Sequence, residues 1–425
     1  MGKLNRRNFI NRALFASPIL GFIPWASSPQ LDDKNYPLTN NDNSENYWED
    51  VRRKFFLTQD RIYFNTASIG ASPKDVVNEM HKRTIEQETI GDTKHRLIEE
   101  TRLKIAKFLN VEKDLIAITR NTTEGINLAA SCLPLNQGDE IIITTHEHIG
   151  GAAPWITLKE KKGVEVKLLD LDLTGENNFE MLKRSITKKT KAVCFSHLTC
   201  TTGLKMPAKE IIAYCRQRNI LSCVDGAQAV GMIDIDLNDL NPDIYAFSGH
   251  KWLYGPNGSG ALYINRDMLS QLTPIFTGAY SLTEFNLKTK HFEYNKKAEM
   301  MEYGTRNAAH ISALGTAFDF AQSIGIKKIE KRGRDLAQRL KLELQSNSNV
   351  ELLTPIKEVF SGSIVTFKIP DLPYMELKKI LATKYKIRVR GIYENDLNAI
   401  RISCGIYNSM AEIDSLVKAI RQITH

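Results

Sequence analysis

Cysteine is scarce in this chain of 425 residues, which contains only six. None of them forms a Cys-x-x-Cys pair, and most lie in apolar runs. A chain of this size has little need of a disulfide framework, so the cysteines are interpreted as small buried apolar residues. They are Cys132, Cys194, Cys200, Cys215, Cys223 and Cys404.

Glycine, proline and positive charge are also limited. The 25 glycines and 14 prolines exclude a fibrous or low-complexity protein. The formal charge is +8, but residues 1–28 hold four basic residues and no acid, so removing these four leaves +4. That excess is too small to indicate a nucleic-acid partner. No segment after residue 28 is apolar enough to cross a membrane, so the chain is predicted to be globular, without stable membrane insertion.

The first 28 residues have the pattern of an export signal. Arg6-Arg7 precede an apolar stretch at residues 13–23 that is too short to span a bilayer, and small residues follow at 26–28. This pattern predicts a twin-arginine signal peptide, passage through the twin-arginine translocation machinery in the folded state, and a periplasmic location. Residues 29–47 are polar and without periodicity, which predicts a linker.

Short β-branched runs alternate with helical patterns over residues 70–320. Such alternation predicts an α/β domain with a mostly parallel sheet, which binds ligands at the carboxyl ends of its strands. Residues 321–425 predict a smaller α+β domain, which residues 48–69 are expected to join. The seven strands predicted for the sheet are 115–119, 140–144, 164–169, 192–196, 220–225, 244–248 and 260–264.

A lysine follows the strand predicted at residues 244–248. Lys251 stands after Ser248, Gly249 and His250 and before a glycine-rich turn. A lysine among apolar neighbours loses its charge more easily, as an imine-forming amine must. The alternative is an ordinary solvated lysine, and the order of the glycines does not match the dinucleotide-binding pattern.

Two further motifs have the chemistry of a cofactor site. Asp225 ends another predicted strand, where a buried carboxylate could keep the ring nitrogen of a pyridoxal cofactor protonated; a helix cap or salt bridge is the alternative. Thr122 and Thr123 open an apolar helix whose free N–H groups could hold a phosphate; plain capping is the alternative. With Lys251, these residues describe a pyridoxal 5'-phosphate site.

At this point the sequence resembles the class V aminotransferase family of fold-type I pyridoxal phosphate enzymes. The resemblance covers most of residues 60–420 and rests on three motifs in the family order. The opening residues 63–70 and the turn at 304–307 resemble the isopenicillin N epimerase-like branch more than the cysteine desulfurases. The three motifs are Thr-Thr-Glu-Gly-Ile-Asn (122–127), Val-Asp-Gly-Ala-Gln-Ala-Val (224–230) and Phe-Ser-Gly-His-Lys (247–251).

The resemblance implies a role for each matching residue. Lys251 would form the Schiff base and then move the Cα proton, Asp225 would bind the pyridine nitrogen, and His148 would stack on the ring. Thr305 would reach the phosphate of a neighbouring subunit, which implies a homodimer, and Arg401 would bind the substrate carboxylate, with a surface salt bridge as its alternative. The remaining implied cofactor contacts are Gln228 at the ring hydroxyl and Thr122, Thr123, Ser248 and His250 around the phosphate.

Three features limit the assignment. Desulfurases carry sulfur on a loop cysteine, but the corresponding residues 389–396 have none, which makes a persulfide mechanism doubtful. Cys200 takes the place of a family asparagine near the ring hydroxyl and is either a reactive thiol or a packing residue. A metal site at His146 and His148 has no evident third ligand.

The sequence therefore predicts a pyridoxal phosphate enzyme that acts at the Cα of an amino acid, or of an amino-acid moiety of a peptide-like metabolite. An aminotransferase or epimerase is the leading prediction. The alternatives are a cysteine or selenocysteine lyase without a persulfide cysteine and a non-catalytic protein that binds the cofactor or another ligand. No metal is expected.

Overall fold

The computed structural model of the protein describes residues 44–424. The predicted signal peptide at residues 1–28 and most of the predicted linker at 29–47 lie outside these residues. The first described helix begins at Glu45, within the last residues of that predicted linker. Among residues 44–424, no helix is long and apolar enough to cross a membrane.

The described helices and strands alternate along most of the chain. The helices are α1 (Glu45–Arg53), α2 (Lys74–Ile90), α3 (His95–Phe108), α4 (Thr122–Cys132), α5 (Ile149–Lys162), α6 (Asn178–Ser185), α7 (Ala208–Arg216), α8 (Leu237–Leu240), α9 (Arg266–Leu269), α10 (Ala308–Ile324), α11 (Ile326–Gln345), α12 (Tyr374–Thr383) and α13 (Met410–Thr424). The strands are β1 (Ile62–Tyr63), β2 (Ile116–Thr119), β3 (Glu140–Thr144), β4 (Glu165–Leu169), β5 (Thr190–Ser196), β6 (Leu221–Asp225), β7 (Ile244–Ser248), β8 (Gly260–Ile264), β9 (Leu282–Asn286), β10 (His291–Tyr294), β11 (Glu351–Leu352), β12 (Ile364–Lys368), β13 (Ile387–Arg388), β14 (Arg390–Ile392) and β15 (Ala399–Ser403).

The main sheet has seven strands in the order β2-β8-β7-β6-β5-β3-β4. Only β8 runs antiparallel to its neighbours, and the other pairs are parallel. Its central strands are buried along their length because helices cover both faces, which explains their continuous apolar runs. This architecture confirms the predicted α/β fold with a mostly parallel seven-stranded sheet.

A second sheet is built from the C-terminal part of the chain. It is antiparallel, with the order β11-β12-β15-β14, and the apolar faces of α11, α12 and α13 pack against it. β1 pairs in parallel with β13, so a segment from near residue 62 lies beside the C-terminal elements. The boundaries proposed for the two domains stay a prediction.

The structure contains one supersecondary element that the sequence did not predict. β9 and β10 form an antiparallel hairpin whose residues are almost all exposed. Period-two alternation of apolar residues arises when one face of a strand is buried, and this hairpin buries neither face.

The turn after β5 brings the two sheets together. Thr366 on β12 donates its hydroxyl hydrogen to the carbonyl oxygen of Thr201 at 2.7 Å, and Thr354 donates to the carbonyl oxygen of Thr202 at 2.5 Å. All four residues are buried. Because these bonds lie away from water, they fix the turn between the carboxyl edge of the main sheet and the second sheet.

Candidate active site

A cavity of about 270 Å³ lies where the carboxyl ends of the central strands face the second sheet. The main sheet contributes residues that end or follow β5, β6 and β7, and the second sheet contributes two arginines. This edge is where parallel α/β sheets bind ligands. Nine of the ten residues predicted for the site line the cavity, namely Thr122, Thr123, His148, Asp225, Gln228, Ser248, His250, Lys251 and Arg401.

Lys251 and Asp225 form the charged centre of the cavity. Lys251 lies three residues beyond β7, and Asp225 is the last residue of β6. Burial lowers the pKa of Lys251, while the nearby Asp225 carboxylate partly opposes that shift. Burial likewise raises the pKa of Asp225 against the effect of Lys251. The arrangement supplies an amine that loses its proton readily beside a carboxylate that accepts the Ala227 N–H at 2.8 Å.

The start of α4 forms one end of the cavity. Asn121 caps this helix with its side chain, so Thr122 and Thr123 are not needed for capping. The Thr122 N–H donates to the Ser248 hydroxyl oxygen at 3.0 Å, and the two hydroxyls lie 2.8 Å apart. Nearby, the buried Nδ1 of His250 has no hydrogen-bond partner. A helix N-terminus, paired hydroxyls and an unpartnered ring nitrogen suit a phosphate group.

His148 caps α5 from the other side of the cavity. Its Nδ1 accepts the Gly150 N–H at 3.0 Å, so the neutral ring carries its hydrogen on Nε2. Burial first, then the charges of Lys251 and Arg390, lowers the pKa of His148 to about 4. The imidazole is therefore neutral near pH 7 and offers a flat, uncharged face to the cavity.

His146 does not share the surroundings of His148. Its Nδ1 lies 2.8 Å from the Thr201 hydroxyl, in a buried position. Among residues 44–424, the one cluster with the spacing of a metal site is exposed on the β9–β10 hairpin and contains neither histidine. His146 thus serves to hold the turn after β5.

Gln228 spans two elements next to the cavity. Its amide nitrogen donates to the Ala67 carbonyl oxygen at 3.1 Å, and its amide oxygen accepts the Trp252 ring N–H at 2.7 Å. One amide hydrogen is left for a ligand. Gln228 therefore ties Trp252, the residue after Lys251, to the segment before α2.

Arg401 lies on β15 and is only 1% exposed. Its two terminal nitrogens each donate at 2.8 Å, one to the Cys200 carbonyl oxygen and one to the Ser68 hydroxyl. Its Nε has no partner, and within residues 44–424 it forms no ion pair. Burial and the neighbouring Arg390 lower the pKa of Arg401 to about 10. A surface salt bridge is thereby excluded, and a carboxylate is the ligand that such a buried guanidinium lacks.

A comparison with known protein families agrees with the sequence motifs that located the site. Residues 62–416 match the class-V aminotransferase family. The chain belongs to that family.

Related proteins of the class-V aminotransferase family include cysteine desulfurases. A probable cysteine desulfurase of Pyrococcus abyssi is 29% identical over 88% of this chain and 97% of its own length. The apo structure of the cysteine desulfurase from Thermococcus onnurineus NA1 has a TM-score of 0.81 at 26% identity, covering 88% of this chain and 98% of that one. A cystine C–S lyase in complex with cysteine persulfide has a TM-score of 0.79 at 27% identity, covering 85% of this chain and 97% of that one.

The cofactor of this class-V enzyme is pyridoxal 5'-phosphate. A variant of the lyase just described carries glycine covalently linked to this cofactor, with a TM-score of 0.80 at 27% identity over 86% of this chain and 98% of that one. The residues of this chain fit the group. Lys251 has a readily lost proton, Asp225 can face the ring nitrogen, and the unpartnered Nδ1 of His250 lies near the phosphate end.

Thr305 lies apart from the other predicted residues. It is exposed and lines a separate cavity of about 290 Å³ beside Arg120 and Tyr303. Three residues before Thr305, the Glu302 carboxylate accepts hydrogen bonds from Arg102 at 2.6 Å and from the Ile118 N–H at 2.7 Å. The predicted contact of Thr305 with a neighbouring subunit, and with it the homodimer, stays a prediction.

The structure adds two residues that the sequence analysis missed, one that lines the cavity and one that pairs with it. Arg390 on β14 is the register partner of Arg401 on β15 and lines the cavity. It donates to the Glu394 carboxylate at 2.5 Å, which lowers the pKa of Glu394. Glu394 lies within residues 389–396, the segment that contains no cysteine. An arginine 11 residues before Arg401, on a strand with which it could pair, was the available signal.

Cys200 lies in the cavity wall and is 4% exposed. Its carbonyl oxygen is engaged by Arg401, and burial raises the pKa of its thiol. The thiol is therefore protonated at neutral pH, which is the state of a packing residue and not of a ready nucleophile.

Proposed function

We propose that this protein is a C–S lyase that removes the Cα proton of a sulfur-containing amino acid and expels the sulfur substituent from its β carbon. The leaving sulfur departs in the product and is not stored on a cysteine of the chain. The observation that carries the proposal is that Arg401 and Lys251 line one cavity whose neighbouring loop, residues 389–396, contains no thiol.

Arg401 orients the substrate in this proposal. A carboxylate bound by its guanidinium satisfies a buried cation that now has only a carbonyl and a hydroxyl as partners. Fixing the carboxylate also fixes the Cα–H bond relative to Lys251, and such positioning lowers the barrier to proton transfer.

Lys251 moves the proton. As a neutral amine in the cavity it accepts the Cα hydrogen, and the electron pair left at Cα forms a C=C bond as the Cβ–S bond breaks. When bound, pyridoxal 5'-phosphate supplies the electron sink for this chemistry, and Asp225 stabilises the positive ring nitrogen. The neutral His148 supports the ring without adding a charge.

In this proposal, Arg390 in the cavity wall and its ion-pair partner Glu394 lie on the side towards which the β-substituent of the substrate would extend. They offer one positive and one negative group beside the carboxylate site. A distal amino acid, as in cystine, carries both complementary charges. This pair favours a disulfide amino acid over free cysteine, and a relative of this fold acts on cystine.

The experiment that tests the proposal incubates purified holoenzyme with cysteine and with cystine. Elimination predicts pyruvate and ammonia in equal amounts, together with sulfide from cysteine or cysteine persulfide from cystine. Cys200→Ser should retain this activity within about threefold, because its buried thiol takes no part. Alanine as the carbon product, with sulfur bound to the chain, would refute direct release.

Transamination and epimerisation, the leading prediction from the sequence, share the proton transfer at Cα. Incubation in deuterated water separates them from elimination. Deuterium at Cα with the amino acid intact indicates epimerisation or exchange, and a keto acid that retains its β-substituent indicates transamination. A holoenzyme that never exchanges Cα hydrogen, with any amino acid or peptide tried, would instead support a binding protein.

We also propose that the protein is exported to the periplasm by the twin-arginine pathway. Residues 1–28 have the basic, apolar and small-residue order of such a signal. Replacing Arg6 and Arg7 by lysine should leave the protein in the cytoplasm of the expressing cell. Unchanged export of that variant would contradict this proposal and would leave the enzymatic one untouched.

A further inference from the structure

A second acidic side chain, Glu147, lies next to the Asp225 carboxylate. Glu147 follows β3 by three residues and accepts three hydrogen bonds. The Thr144 hydroxyl donates to Oε1 at 2.6 Å, the Ser196 N–H donates to the same oxygen at 3.0 Å, and the Ser196 hydroxyl donates to Oε2 at 2.6 Å. Its position is thus fixed from both β3 and β5.

The same contacts bring Glu147 towards the end of β6. Ser196 and Asp225 are register partners on the adjacent strands β5 and β6. Gly151, in the first turn of α5, touches both acids. A Cβ on Gly151 would lie 3.0 Å from Oδ2 of Asp225 and 3.6 Å from Oε2 of Glu147. The two carboxyl groups therefore border the same backbone position.

Two neighbouring carboxylates away from water do not both remain charged, because each raises the pKa of the other. Asp225 has the positive charge of Lys251 beside it. Within residues 44–424, Glu147 forms no ion pair and instead interacts with two groups on nearby strands, the Asp225 carboxylate on β6 and the Cys194 thiol on β5. Removal from water raises the pKa of Glu147, the hydrogen bonds from Ser196 and Thr144 oppose that shift, and Asp225 adds to it, so that the pKa is raised to about 7. Of the two acids, Glu147 is the one that takes the proton.

We propose that Glu147 is a positioning residue that keeps the ring-nitrogen end of the cofactor site at a single negative charge. Below about pH 7 it lies behind Asp225 as a neutral carboxylic acid and leaves Asp225 as the anion that faces the ring. Its ionisation adds a second negative charge at the end of the site that controls the electron sink. The inference depends on the cofactor and not on which bond the enzyme breaks, so a failed lyase assay leaves it standing.

The first test is infrared spectroscopy of the native holoenzyme as a function of pH. A carbonyl-stretch band of a protonated carboxylic acid should be present at about pH 5.5 and should disappear as the pH rises above the pKa of Glu147. Glu147→Gln, which mimics the neutral acid, should lack the band. A native holoenzyme without that band, or a Glu147→Gln variant that keeps it, would overturn the proposal.

Glu140→Gln is the matched control. Glu140 is the first residue of β3, at the opposite end of that strand from Glu147. It also accepts hydroxyl hydrogen bonds, from Thr187 at 3.1 Å and from Thr190 at 2.5 Å. It is far from the carboxyl edge, so this variant should keep the infrared band and the native spectrum of the bound cofactor. If Glu140→Gln lost the band as completely as Glu147→Gln, the loss would reflect a less stable β3, and this result would contradict the proposal.

The second readout is the visible absorbance of the bound cofactor. Native holoenzyme should show a transition near neutral pH, where Glu147 ionises, that Glu147→Gln lacks. Ser196→Ala keeps Glu147 but removes a hydroxyl that favours the charged form, so its transition should move to higher pH. A transition that stays in place in both variants arises from another group and would refute the assignment, even if one of them folds poorly.

Discussion

The two walls of the cavity differ in how their charges are balanced. On the main-sheet wall, Lys251 faces Asp225 and the neighbouring hydroxyls bond to one another. On the second-sheet wall, Arg390 pairs with Glu394, whereas the buried Arg401 has no ionic partner within residues 44–424. From this difference we expect the first wall to be organised before a substrate arrives and the second wall to be completed by an anion.

The largest effect should follow from replacing Lys251 in the main-sheet wall, where opposite charges face each other. Lys251→Ala removes the group that moves the proton in the proposed reaction, and we expect kcat to fall by at least roughly 100- to 10,000-fold. Borohydride reduction of native holoenzyme and peptide mapping should find the cofactor on Lys251. Lys341 is an internal control, since burial lowers its pKa to about 8 although it lies outside the cavity. Cofactor label on Lys341 and none on Lys251 would contradict the assignment.

A substitution at Arg401 in the second-sheet wall should mainly weaken substrate binding. Arg401→Lys replaces a two-pronged donor by a point charge, at a cost of about 2 to 4 kcal/mol, so KM should rise roughly 30- to 1,000-fold. The bound cofactor should keep its absorption spectrum. Arg332→Lys is the control: Arg332 is also buried but pairs with Glu45 outside the cavity, so stability should fall while KM stays constant. An unchanged KM in Arg401→Lys would remove Arg401 from the substrate site.

A smaller effect is expected at the ring face. His148→Gln removes a stacking surface worth about 0.5 to 1.5 kcal/mol, so the dissociation constant of the cofactor should rise roughly 2- to 12-fold. Because its pKa is about 4, native His148 is neutral above pH 5 and should cause no inflection near pH 6.5 in kcat/KM. His146→Gln should leave cofactor affinity unchanged. An inflection near 6.5 that disappears in His148→Gln would show a charged ring instead.

The smallest effect should come from Glu394, the carboxylate that pairs with Arg390. Glu394→Gln breaks a partly exposed ion pair worth about 0.2 to 1 kcal/mol, so KM for cystine should change less than about fivefold. Arg390 then lacks its counter-charge, and selectivity should move towards substrates with a distal carboxylate and no distal amine. Asp396→Asn, on the same turn but exposed, is the control. If native enzyme and Glu394→Gln showed identical selectivity, the charges of the second-sheet wall would have no effect on which β-substituent is accepted.

The main sheet could be predicted from sequence because each strand is an apolar run between helices. The seven predicted strands agree with the structure within two residues, and β5 shows the largest difference because it starts at Thr190. The exposed β9–β10 hairpin and the two-residue strand β1 could not be predicted in this way. One buries no face, and the other is too short to show a period.

The cofactor wall was accessible to sequence reasoning because its residues follow strands directly. Arg390, Glu394 and Glu147 were not, because their places depend on how separate strands pair in the folded protein. Arg390 gains its place from the register of β14 with β15, and Glu147 gains its neighbour from Ser196 on β5. The spacing of Arg390 and Arg401 allows the first pairing without fixing its register, and no local spacing indicates the second.

The pairing of β1 with β13 has a consequence for the order in which the protein forms its site. The Gly70 N–H donates to the His250 carbonyl oxygen at 2.8 Å, and Ser68 holds Arg401, so residues near both ends of the chain meet at the cavity. Contacts between such distant segments form late in folding. A nascent chain can therefore complete the lysine wall during synthesis, but it becomes able to hold a substrate only after β15 has been made.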